Sequence, residues 1–225
     1  QVENTLFRVP RHELEHTSRV FRDMFLIPSG ADHPEGESDE HPIVLENTCS
    51  YDFRQLLRAM LCGPPLNTHR EDMGGPDDSL PVTFEEWTSV IKLSHRWEMS
   101  AVYQLALKRV SDLKDVDHVE KAAVALTYDI QEWIKSTIND IARRDEPLSR
   151  REVDILGIDT VLKIARVRES IGPRGTIRKR SAARLDFGSV ITEVFEERFP
   201  KKAVSPPKPA KTTPARVISN SSDSD

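Results

Sequence analysis

Apolar and polar residues alternate along Thr5-Leu6-Phe7-Arg8-Val9-Pro10-Arg11, the period of a strand with one face turned inward. With no intervening glycine the period then lengthens. From His12 to Phe25 the apolar residues Leu14, Phe21, Met24 and Phe25 share one side of a helical wheel, with Val20 at its margin. Glu13, Glu15, Arg19, Arg22 and Asp23 lie mostly opposite. The spacing predicts a strand running directly into one helix over 12–25, whose aromatic face the later helices must cover.

Residues 27–40 have no apolar period and are dense in turn formers and acids, which predicts a solvated acidic loop. His41-Pro42-Ile43-Val44-Leu45-Glu46 predicts a second short strand. Phe53, Leu56, Leu57, Met60 and Leu61 form the stripe of a helix over 51–61, with Ser50 as its expected cap. Proline, glycine and acid dominate 62–81, around Gly74-Gly75-Pro76, and predict a long surface loop. Thr83 and Glu86 then have the spacing of a capping box and open a helix that presents Phe84, Trp87, Ile91 and, at its end, Trp97. Ser100 is expected to cap the next, with Val102, Leu105, Ala106 and Leu113 inward.

From Asp115 the pattern is wholly helical. Val119, Ala122, Ala123 and Leu126 form one stripe, and Trp133, Ile134, Ile138 and Ile141 a second, closed by Pro147. Ser149 with Glu152 repeats the capping box, Gly157 fits a helix stop, and Val161, Ile164 and Ala165 belong to a last helix ending at Gly172-Pro173. In the segment beyond, Ile191, Val194, Phe195 and Phe199 predict a short amphipathic helix within 187–199. Residues 200–225 carry too little apolar surface to offset ordering entropy and are expected to be disordered.

Composition narrows the class. The chain of 225 residues is long enough to bury a core, and no apolar run approaches the roughly 20 residues of a membrane helix, so no membrane partner is expected. Cys49 and Cys62 flank the helix expected over 50–61 and lie too far apart to bridge, which favours the cytoplasm or nucleus. The net charge of -5 is unevenly spread: residues from Gly172 onward carry +5 and those before it -10. An acidic body is a poor binder of specific nucleic acid, whereas the basic tail holds weakly to any polyanion. Within that tail Arg178, Lys179 and Arg180 form a candidate nuclear import cluster, equally readable as a solvated linker.

One motif carries a reaction on its face. His12-Glu13-Leu14-Glu15-His16 satisfies H-E-x-x-H, in which two imidazoles a turn apart hold zinc and the glutamate activates its water. Arg19 and Arg22 stand where the long metalloprotease signature has glycine and a third histidine, and Leu14 belongs to the inward stripe, so the same five residues read as a solvated helix start. His12 and His16 are therefore the only metal candidates retained, and no cofactor is expected. No phosphate-binding glycine loop and no serine or cysteine beside a recognisable base is present.

Taken together, Phe7, Val9, Arg11, Leu14, Ser18, Phe21, Met24 and Phe25 resemble, in order and spacing, the opening pattern of the BTB/POZ domain, in particular its divergent basidiomycete fungal group. Val44 and Leu45 followed by Phe53 and Leu57 resemble the next strand and helix. Trp87 and Ile91 fall in what resembles the closing helical hairpin, with Leu93, Met99, Val102 and Ala106. The chain departs from the family at Pro10, where members carry histidine. Leu26-Ile27-Pro28-Ser29 also lacks the hydrophobic-x-acid step of cullin-recruiting members.

The resemblance implies an α+β fold, a small sheet flanked by helices over 1–113, with part of the first strand expected to precede Gln1. An all-helical extension over 114–172 and a basic, largely disordered tail over 173–225 would follow. It implies a non-catalytic protein-protein interaction module, self-associating or binding other proteins. The alternatives are a substrate adaptor for a cullin-type ubiquitin ligase and, more remotely, a zinc-dependent hydrolase built on the His12–His16 stretch.

Overall fold

The computed structural model describes residues 1–27, 35–36, 38–61, 80–170 and 185–199. Ten α-helices lie among them: α1 (Arg11–Thr17), α2 (Arg19–Phe25), α3 (Ser50–Leu61), α4 (Phe84–Arg96), α5 (Ser100–Asp112), α6 (His118–Thr127), α7 (Gln131–Arg143), α8 (Arg150–Leu156), α9 (Ile158–Glu169) and α10 (Gly188–Val194). A 3-10 turn at Glu196–Arg198 follows. Packing is densest between helices adjacent in sequence, α3 with α4, α4 with α5, and α6 with α7. The last element, α10, docks on α7 and α9, where Asn139 accepts the Phe187 N–H and Arg143 donates to the Leu185 carbonyl.

The expected α+β architecture does not form: among the described residues there is no sheet, only an isolated antiparallel bridge between Val2 and Thr5 and two bonds by which Gln1 meets the 43–45 segment, its amino group donating to the Ile43 carbonyl and its carbonyl accepting the Leu45 N–H. The alternation that predicted a strand at 5–11 is nonetheless real. Phe7 and Val9 pack inward while Leu6, Arg8 and Pro10 stay exposed. An extended segment lying across α3 places alternate side chains inward without any partner strand, so period-2 patterning reports a one-sided environment and not a ladder. The same holds for 42–46, where Leu45 packs inward and Val44 is 59% exposed.

A second correction concerns 12–25, which forms two helices and not one. Ser18 adopts an extended conformation, φ −125° and ψ 124°, and its hydroxyl accepts the Phe21 N–H to open α2. A serine side chain competes with the helix ladder for backbone groups, and here it wins. Two expected caps also differ. Ser50 lies inside α3, where its N–H and hydroxyl both donate to the Glu3 carboxylate, so the acid serves the helix start. Ser100 begins α5 after Met99, which makes no side-chain cap. The capping boxes at Thr83/Glu86 and Ser149/Glu152 form as expected, and Gly157 ends α8.

Candidate interaction surface

The aromatic residues singled out by the sequence converge on one cluster. Phe7 meets Phe53 edge-on at 4.9 Å, Phe53 meets Trp97 at 5.8 Å, and Trp97 meets Phe21 at 5.1 Å between ring centroids. Such edge contacts add about 0.5–1.5 kcal/mol each beyond area burial. Arg11 caps the outer end, its guanidinium 4.6 Å over the Phe25 ring and bonded to the Phe25 carbonyl and Glu15. Leu14, Phe21, Phe53, Trp87 and Ile91 are buried, whereas Val9, Met24, Phe25, Leu45 and Leu57 are partly so. Ser18 is buried beneath this cluster and donates to the Trp97 carbonyl at 2.6 Å. One hydroxyl thus starts α2 and ties it to the end of α4.

Two charged clamps that the sequence did not announce hold α3 against α4. Asp52 accepts from the Ser89 hydroxyl at 2.7 Å and pairs with Lys92 at 2.6 Å, and this hydrogen bond, partly opposed by burial, raises the Lys92 ammonium above its ordinary value. Arg58 bonds Glu86 at 2.8 Å, Gln55, and the Leu80 carbonyl. Burial would raise the Glu86 carboxyl, but the Val82 and Thr83 N–H groups together with Arg58 outweigh it and hold the carboxyl down at about 2. In sequence, Glu86 was visible only as half of a capping box. Its second partner comes from 28 positions upstream.

The metal candidates sit apart from all of this. The His12 side chain is 77% exposed and faces Glu13 of its own helix, and His16 is also exposed. Among the described residues no group of three histidine, cysteine or acidic side chains is placed to hold a metal ion. Cys49 is a free, exposed thiol. Cys62 and the Arg178-Lys179-Arg180 cluster lie outside the described residues.

Apart from single exposed residues such as Leu6 and the Leu26–Ile27 pair after α2, two apolar features stay open to solvent. Leu80, Pro81, Val82, Trp87, Arg109, Asp112 and Leu113 line a shallow groove of about 380 Å³ with an apolar floor. On α9, Ile158 and Leu162 are 60% and 61% exposed, beside the half-open Ile155 of α8. Helix α9 carries apolar residues at 158, 161, 162, 164, 165 and 167, more than one face can bury. That surplus was readable in the sequence, although only Val161, Ile164 and Ala165 drew attention there.

No family model, curated protein or solved structure matches the chain. Fold and surface together define a helical protein with a sealed aromatic core and unpaired apolar stripes on its outside. Among the described residues no helix is long and apolar enough to cross a membrane.

Proposed function

We propose that this chain is a non-catalytic protein-protein interaction module. The observation that carries the reading is the contrast between the closed aromatic cluster around Trp97 and the Ile158–Leu162 stripe, which stands in water a turn apart on one helix. An aligned apolar pair left outside a folded core marks a surface that a partner covers. The BTB/POZ resemblance supports the same reading through its helical positions, although the sheet it implies does not form among the described residues.

The test is in-cell crosslinking with the intact chain, comparing wild type with Leu162→Glu. A set of crosslinked proteins, a second copy of the chain included, that is depleted by the substitution is the expected result. Crosslinks to no protein above background overturn the reading.

A further inference from the structure

We infer that α9 is a self-pairing face: two copies of this chain dock antiparallel along it, with Leu162 meeting Leu162 near a two-fold axis. The inference rests on the interaction reading and names its partner. Ile164 and Val167 turn inward and are fully buried, and on the opposite side Ile158 and Leu162 face solvent, with Glu169 continuing the line two turns on. Flanking this line are Asp159 and Arg166, both exposed. Neither side chain makes an ion pair with any described residue, in a protein where Lys163, between them on the same helix, is paired with Glu197.

Those two charges choose the partner and its direction. Asp159 and Arg166 are seven residues apart, so they project from the same edge of the helix about 10 Å from one another. When two copies of one helix pack antiparallel, equal edges meet, and an axis passing between positions 162 and 163 sets each Asp159 opposite the other copy's Arg166. Symmetry makes the ion pair twice. In a parallel arrangement this edge would face the opposite edge of the other copy, so Asp159 and Arg166 would not meet and neither ion pair would form. The face is therefore complementary to itself in one orientation. Its size sets its strength: α9 has 12 residues, a contact about 18 Å long, which falls at the small end of specific interfaces and fits a reversible dimer.

The full chain is followed by sedimentation equilibrium from about 5 µM to 500 µM, a range chosen for the weak affinity of a small interface. Wild type is expected to shift from monomer to dimer across it, and Leu162→Lys to remain monomeric with an unchanged helical circular-dichroism spectrum. Asp159→Arg and Arg166→Asp alone should each weaken the dimer about tenfold, and the double reversal should restore it to within about threefold, since two symmetry-related pairs are inverted and then re-formed. A wild-type chain that stays monomeric throughout overturns the inference, as does a dimer indifferent to Leu162→Lys. A dimer lost with Leu162→Lys but untouched by either charge reversal overturns the antiparallel arrangement. If the chain is monomeric and Leu162→Glu still depletes other proteins in the crosslinking experiment, self-pairing fails and the interaction reading stands.

Discussion

Replacing Ser18 by alanine removes one oxygen atom from a site with less than 2% exposure and loses two hydrogen bonds together. The first is the cap on α2, from the Phe21 N–H at 3.1 Å, worth about 1 kcal/mol in comparable caps. The second is the donation to the Trp97 carbonyl at 2.6 Å. A buried carbonyl left without that donor costs about 1–3 kcal/mol. The sum is about 3 kcal/mol, which for a chain of this size lowers the thermal midpoint by roughly 6–12 °C. Urea unfolding followed by tryptophan fluorescence reads the same loss as a shifted midpoint at constant slope, with Trp97 reporting directly from the site.

Thr17→Ala supplies the control. Its hydroxyl bonds the Glu13 carbonyl one turn back within α1, an arrangement that adds little to a helix, so its removal should change stability by less than about 0.5 kcal/mol. The reasoning fails if Ser18→Ala lies within about 0.5 kcal/mol of wild type, or if Thr17→Ala costs as much as Ser18→Ala.

Three further outcomes follow from the structure. The Glu86 carboxyl sits near 2 when folded against an ordinary 4.5, so its stabilisation is fully present above about pH 4.5 and is lost as pH falls toward 2. The ceiling is about 3 kcal/mol, and with the ion pair partly solvated about 1–2 kcal/mol is expected. The stability gap between wild type and Glu86→Gln should therefore close between pH 5 and pH 2, and a gap that does not change with pH contradicts the assignment. Gly157 has φ 77° and ψ 151°, a region open essentially to glycine, and a methyl added there meets no atom within 4 Å. Gly157→Ala should accordingly cost about 1–3 kcal/mol through backbone strain alone, measured by denaturant unfolding. Finally, protein purified without chelator should hold less than about a tenth of a zinc per chain by elemental analysis, and His12→Ala should leave thermal stability unchanged; a stoichiometric zinc lost with that substitution would reverse the account of the histidines.

The helical part of this fold was largely legible because its signals are local. Both capping boxes, the stop at Gly157, and the stripes of α3, α4 and α7 lie within a few residues of one another, and each formed where the spacing put it. The sheet was misread because alternation says which way side chains point and nothing about what the backbone bonds to. Thr5 to Arg11 alternates with no neighbour strand among the described residues. The break at Ser18 was hidden for a different reason: the serine's choice between ladder and cap is decided by the Trp97 carbonyl, 79 positions away. Distance in sequence also concealed the Arg58 and Asp52 clamps, since charged residues on a predicted helix read as solvated until the facing helix is known.

The way neighbouring segments dominate the packing bears on how the chain reaches its native state. The strongest helix contacts join α3 to α4, α4 to α5, and α6 to α7. Outside the 62–83 connection and the docking of the N-terminal segment onto Trp97, these contacts close over short stretches, a topology that allows rapid folding. On the ribosome, the portion ending near Asp112 can assemble its aromatic nucleus while the remainder is still being translated. The later helices would then condense onto a scaffold already made.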